Sequence, residues 1–91
     1  MQVTSISFTD EGWEDYCFWQ ETDPKMVFRI NALLKDTKRH PFSGIGKPEP
    51  LKGQFKGFWS RRINQEHRLV YMVKGQDGEQ TLIIAQCRYH Y

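Results

Sequence analysis

The sequence predicts an α+β fold: an N-terminal strand, then a helical hairpin packed on a small antiparallel β-sheet. Three observations carry this. Residues 10–39 hold two helix-patterned segments separated only by Thr22-Asp23-Pro24, a capping and proline signal. Residues 58–73 and 80–88 hold runs rich in β-branched and aromatic residues, broken by polar or glycine turns. A strand-like run precedes the helices. The order β-α-α-β-β-β layers a helix pair on one face of an antiparallel sheet.

Met1 to Phe8 reads as the first strand, with Val3, Ile6 and Phe8 as β-formers. Thr9 is a good helix N-cap, and Asp10 and Glu11 fall in the first turn, where the helix dipole favours anions. The first helix is expected over roughly 10–21. Trp13, Tyr16 and Cys17 lie at i, i+3 and i+4 and form its expected inward stripe. Phe18 and Trp19 fall outside that stripe and read as cover for another element. Asp23 caps the second helix and Pro24 opens it. This helix should reach about Arg39 and bury Val27, Ile30, Leu33, Leu34 and Thr37. Lys35, Lys38 and Arg39 suit its C-terminal dipole. His40 precedes Pro41, which disfavours helical geometry and ends the element.

Residues 41–56 form the longest irregular stretch, with Pro41, Gly44, Gly46, Pro48, Pro50 and Gly53. A loop this long in a small domain is usually functional or disordered. Phe42, Leu51 and Phe55 can pin it to the core, and its prolines reduce its freedom. Beyond it, two strands are joined by the turn Asn64-Gln65-Glu66. Gly75-Gln76-Asp77-Gly78 then turns the chain into a last strand, Gln80 to Arg88. Leu69, Tyr71, Val73, Leu82 and Ile84 are expected on one face of this hairpin, with Val70, Met72, Ile83 and Ala85 on the other.

Ninety-one residues make one domain with a modest core. The three Trp, six Phe and four Tyr enlarge that core, because each ring buries a large area. The net charge of +2 is too small for a strong field over the whole molecule. Any affinity for nucleic acid must come from a local patch. Acidic residues gather before residue 24 and basic ones from Lys25 to Arg68, which suggests one basic face. The two cysteines, Cys17 and Cys87, have no metal-ligand or C-x-x-C spacing and read as reduced thiols of a cytoplasmic protein. Neither a secretory signal nor a run of membrane-spanning length is visible.

The stretch that sets the function is 57–71, Gly-Phe-Trp-Ser-Arg-Arg-Ile-Asn-Gln-Glu-His-Arg-Leu-Val-Tyr. Three arginines in central strands call for an anion. An RNA phosphodiester is one such anion. Cleaving it without metal needs a base for the 2′-hydroxyl, an acid for the leaving 5′ oxygen, and cations around the transition state. The three histidines are scattered, with no paired carboxylate to complete a metal site, so no cofactor is expected. The available bases are Glu49 and Glu66. The acids are His40, His67 and His90. The cations are Lys52, Arg61, Arg62, Arg68 and Arg88.

The segments Trp19–Asp23 (WQETD), Gly46–Lys52 (GKPEPLK), Gly57–Ile63 (GFWSRRI), Glu66–Tyr71 (EHRLVY) and Cys87–Tyr91 (CRYHY) together resemble the YoeB (Txe) toxins of the RelE/ParE superfamily. The resemblance covers nearly the whole chain, in order. It departs in a longer Gly75–Glu79 turn and a few extra N-terminal residues. It implies a RelE/ParE-like, microbial-ribonuclease-like fold and a ribosome-dependent, metal-independent endoribonuclease that cuts messenger RNA in the A-site codon. It also implies a Phd/YefM-type antitoxin partner, a homodimer, and a cytoplasmic location without a membrane. By that resemblance Glu49 is the general base, His90 the general acid and Arg68 the main phosphate contact. Arg62 and Lys52 assist, and Tyr91 stacks on a base or orients the phosphate. His40 and His67 are read as structural or surface residues, and Trp59 as core or support. Two further readings stand against this one: a relative that poisons by binding without cutting, and a plain RNA-binding module.

Strand parity supplies one more expectation. A two-residue loop at Asp77-Gly78 would set Arg68 opposite Cys87 and turn it away from the face of Gln86, Arg88 and His90, since side chains alternate with period two. A shared cleft for Arg68 and His90 therefore requires an odd loop, a bulge, or a bend after Arg88.

Overall fold

Each helix begins where a side chain satisfies its first free amides. The computed structural model describes residues 3–76 and 78–90; the expectations for Met1, Gln2, Asp77 and Tyr91 lie outside the described residues. Strand β1 (Val3–Phe8) leads into helix α1 (Asp10–Thr22), whose cap Thr9 accepts from the Gly12 amide. Helix α2 (Pro24–Arg39) follows one residue later, capped by Asp23 with Pro24 in its first turn. Tyr16 on α1 donates to Asn31 on α2 at 2.6 Å, tying the hairpin together.

The sheet contains β1, β2 (Glu49–Pro50), β3 (Trp59–Arg62), β4 (Arg68–Gln76) and β5 (Glu79–Gln86), in the spatial order β1-β5-β4-β3-β2. Four strands are antiparallel neighbours, and β1 runs parallel to β5, so the sheet is mixed. A parallel partner for β1 follows from the connection: the chain leaves β1 through both helices and returns at the far side of the sheet. The helix-facing side holds Leu69, Tyr71, Leu82 and Ile84, all fully buried, against Ile30, Leu33 and Leu34 of α2. Leu51 and Val70 are also buried but lie outside that main cluster.

Helix α2 buries the expected row, with Met26 replacing the half-buried Val27. Helix α1 does not. Trp13 is 52% exposed, in ring contact with Phe8 and Tyr16 at the surface, whereas Gly12 and Trp19 are buried. The helix approaches β5 so closely at Gly12 that a methyl group there would sit 2.4 Å from the Ile84 carbonyl oxygen. Gly12, Asp15 and Trp19 set the inward side because backbone contact takes precedence over the spacing of large side chains.

The loop over 41–48 is ordered by a side chain from the sheet. Arg61 is completely buried, and its guanidinium donates to Asp36 at 2.6 Å and to the carbonyls of His40, Ser43 (2.8 Å) and Ile45 (3.0 Å). Its Nε donates to the Tyr71 hydroxyl, which in turn donates to the Pro41 carbonyl at 2.6 Å. Arg61 thus leaves the set of cations available to an external anion, because its anion is Asp36 of the same chain.

Candidate active site

Glu49 stands on a short edge strand whose direction is fixed on both sides. Pro48 and Pro50 flank it, and an edge strand tolerates their missing amides. Upstream, Lys47 takes a left-handed φ of 51°, and the Gly46 carbonyl accepts from the Arg62 amide at 2.7 Å. A methyl at Gly46 would meet Leu33 at 2.7 Å, so only glycine allows this approach. Downstream, the Leu51 amide donates to the Phe58 carbonyl at 2.9 Å. Glu49 pairs with Ser60, and its side chain is exposed. Lys52, also exposed, precedes a 3₁₀ turn over Gly53–Phe55.

Cross-strand register puts Glu49, Arg62 and Arg68 on one face. Glu49 opposes Ser60, Ser60 and Arg62 are two apart on β3, and Arg62 opposes Arg68 on β4. The face is the one opposite the helices, since Arg61 between them points into the core. Two arginines set directly across from one another repel unless an anion lies between them or their charges are diverted. Arg62 is exposed, whereas Arg68 is 9% exposed. Arg68 commits one guanidinium nitrogen to its own turn: Nη1 donates to the carbonyls of Asn64 (2.8 Å), His67 (3.1 Å) and Gln65 (3.3 Å). That caging fixes the plane of the guanidinium. Asn64 holds the turn in shape by accepting from the Glu66 and His67 amides, both at 2.8 Å.

The parity expectation is met by a bulge. Gln76 pairs with Glu79, the two-residue loop, and the register holds to Tyr71 opposite Ile84. It then shifts so that Val70 opposes Gln86, leaving Ala85 as the extra residue. Strand β5 ends at Gln86, and the chain bends at Tyr89, which has a left-handed φ of 67°. The Arg68 amide donates to the Tyr89 carbonyl at 2.9 Å, which brings the residue before His90 beside Arg68. His90 is exposed. Tyr91 lies outside the described residues.

The tail is held from several directions. The Cys87 amide donates to Asp15 at 3.0 Å and its carbonyl accepts from Trp19 Nε1 at 2.8 Å. Burial, with a contribution from the Asp15 charge, pushes the Cys87 thiol up to about 12, so it is not a nucleophile. Both cysteines are free thiols. Arg88 lies 3.6 Å from the Phe18 ring centre and 4.5 Å from that of Tyr89, so its cation is held between two aromatic faces. His67, assigned no chemistry by sequence, accepts the Tyr89 amide on Nδ1 at 2.7 Å. Neither periodicity nor spacing marks that contact. The only trace of it in sequence is that His67 adjoins Arg68.

A family model described as "YoeB-like toxin of bacterial type II toxin-antitoxin system" matches residues 8–91. The chain belongs to this family. Toxin YoeB of Escherichia coli strain K12 is 58% identical over 86 residues, covering 94% of this chain and 98% of that protein. A YoeB/ParE toxin from Agrobacterium tumefaciens superposes with a TM-score of 0.94 at 55% identity, over 97% of this chain and all of its own. Two further YoeB toxin structures, both from Staphylococcus aureus, cover the whole of both chains. One is a heterotetrameric YoeB-YefM complex (48% identity, TM-score 0.83) and the other a YoeB dimer (47%, 0.85). The present chain is thus a toxin of a bacterial type II toxin–antitoxin system, and no described helix of this YoeB-like fold is long and apolar enough to cross a membrane.

Proposed function

We propose that this toxin is a ribosome-dependent endoribonuclease that cuts messenger RNA within the A-site codon and so stops translation. The observation that carries the reading is the row Glu49, Ser60, Arg62 and Arg68 on the face of the sheet opposite the helices, with Glu49 and Arg62 exposed and the tail residue before His90 bonded to Arg68. In this reading Glu49 takes the proton from the ribose 2′-hydroxyl. The 2′ oxygen attacks phosphorus as the bond to the 5′ oxygen breaks, and His90 gives that oxygen its proton. Arg68, with its plane fixed by the turn carbonyls, meets the charge that builds on the non-bridging oxygens, and Arg62 and Lys52 add to it. Tyr91 orients the phosphate or stacks on a neighbouring base. The products are a 2′,3′-cyclic phosphate, or the 3′-phosphate formed by its hydrolysis, and a 5′-hydroxyl. The toxin's own side chains supply the base, the acid and the cations, without a cofactor.

The partners in this reading are the ribosome with its A-site messenger, a Phd/YefM-type antitoxin, and a second copy of the toxin, all in the cytoplasm. The Staphylococcus aureus YoeB-YefM and dimer structures support the last two. The test is cleavage of a defined messenger on programmed ribosomes, with free messenger alongside. Wild type should cut in the A-site codon and leave free messenger intact, while Glu49→Gln and His90→Ala should each lose about 10²–10⁴-fold. A transition-metal chelator should leave the rate unchanged. Equal cutting of free messenger sinks the ribosome dependence. A toxic Glu49→Gln variant that cuts nothing favours a toxin acting by binding alone.

A further inference from the structure

His67 and Arg68 are consecutive, and between them they hold both backbone groups of a single tail residue. Nδ1 of His67 accepts the Tyr89 amide at 2.7 Å, and the Arg68 amide donates to the Tyr89 carbonyl at 2.9 Å. Tyr89 is the residue with a left-handed φ of 67°. A non-glycine residue holds that conformation only when its surroundings impose it. The His67 ring is itself fixed, edge-on to Trp19 with centres 4.8 Å apart, and Trp19 in turn donates to the Cys87 carbonyl. A neutral imidazole that accepts on Nδ1 carries its proton on Nε2. One lone pair on a half-buried ring thus holds the Tyr89 amide, while the Arg68 amide holds the carbonyl of the same residue.

We infer that His67 is a positioning residue for the reaction: its Nδ1 holds Tyr89 in the left-handed conformation that directs His90 toward the phosphate held by Arg68. The inference rests on the nuclease reading above, but its structural part does not. His67 touches neither the scissile phosphate nor its ribose; it acts through the backbone of Tyr89. The effect falls chiefly on the chemical step, because Arg62 and Lys52 hold the substrate from outside the tail and only Tyr91 binds it from within. A misplacement on the order of 1 Å in an acid of this kind costs on the order of 10²-fold in rate.

Asparagine and glutamine separate this role from simple packing. The Oδ1 of asparagine is as many bonds from Cβ as Nδ1 of histidine, so His67→Asn keeps the acceptor. Glutamine carries its amide one bond further out, where Nε2 stood, so His67→Gln loses it. On programmed ribosomes, His67→Gln should lower kcat on the order of 10²-fold with a much smaller change in KM, and His67→Asn should recover most of the loss. In the wild-type toxin, nitrogen NMR should find His67 with its proton on Nε2 and the Tyr89 amide protected from exchange. That protection should vanish in His67→Gln and persist in His67→Asn. A His67→Gln variant that cuts like wild type overturns the inference, as does a His67 protonated on Nδ1 in the free toxin. If no form of the toxin cuts, the nuclease reading fails by itself, and an unprotected Tyr89 amide or an Nδ1–H tautomer would separately sink the positioning of the tail.

Discussion

Arg61 and Arg68 show how one residue type takes opposite roles a few positions apart. Both are buried in the sheet, yet Arg61 finds its anion inside the chain and Arg68 spends one nitrogen on turn carbonyls. Removing the internal anion strands a fully buried cation. Asp36 is itself partly exposed and Arg61 keeps its carbonyl acceptors, so Asp36→Ala should cost about 1.5–3 kcal/mol, read from urea unfolding. It should also lower cleavage, because Arg61 orders the loop that leads to Glu49. Burial pushes the Asp36 carboxyl up, but the Arg61 hydrogen bond, the Ile45 amide and the Arg61 charge together hold it below its ordinary 3.8. A lowered folded value means the stabilisation is complete above about pH 4 and is lost as pH falls through the folded value. Asp36→Asn should flatten the acid limb of the stability curve in that window. Asp15 has the reverse sign. Burial raises it, against the Cys87 amide that lowers it, so its ionised form costs stability above the raised value. Asp15→Asn keeps an acceptor for the Cys87 amide and should leave stability at neutral pH equal or higher.

At the scale of elements, α1 docks at its N-terminus onto the bulge of β5. The Thr9 amide and hydroxyl both donate to the Ile84 carbonyl, and the hydroxyl also donates to the Ala85 carbonyl at 3.0 Å. Gly12 then lets the helix lie directly on the strand. Helix propensity favours Gly12→Ala by about 1 kcal/mol. The added methyl meets a backbone oxygen, which cannot rotate away, and overpacking of this kind costs about 1–3 kcal/mol. The clash should win: Gly12→Ala should unfold at lower urea. Cleavage should fall further than stability, since α1 carries the Asp15 and Trp19 contacts to the tail. A variant more stable than wild type would refute the docking. The same residue explains why α1 was hard to read in sequence while α2 was not. Ile30, Leu33, Leu34 and Thr37 announce an inward row by their spacing. Gly12, Asp15 and Trp19 have equally regular spacing, but a glycine and an aspartate carry no apolar signal, so Trp13 and Tyr16 suggested a different face. Caps and helix ends were legible because Thr9 and Asp23-Pro24 act through local chemistry.

For the molecule as a whole, the face of the sheet opposite the helices matters more than the net charge of +2. Its legibility was uneven. The Asn64–Glu66 turn was legible but the pairing of Arg62 with Arg68 across it was not read, and the alternation rule exposed the need for an odd loop, a bulge or a bend near the tail. The rule could not choose among them, and the structure uses the last two, at Ala85 and Tyr89. The chemical roles proposed for Glu49 and His90 came from family resemblance, because an exposed loop carboxylate and a terminal histidine carry no such signal alone. The two arginines should now separate in a salt titration. Each phosphate neutralised by an exposed cation contributes about 0.7 to the slope of log affinity against log salt for a single strand. Arg62, exposed on the face, should behave as such a cation: Arg62→Gln should weaken binding to programmed ribosomes and flatten the slope by nearly that amount, with kcat lowered far less than by Arg68→Gln. Arg68 has a guanidinium plane set by three carbonyls and little exposure to the ion atmosphere. Arg68→Gln should leave the slope nearly intact and lower kcat instead, by on the order of 10²–10³-fold, as for loss of a fixed donor to a transition-state oxygen. Equal slope changes for the two variants would mean that Arg68 binds RNA as an ordinary surface charge, and the caging of its Nη1 would then serve the turn alone.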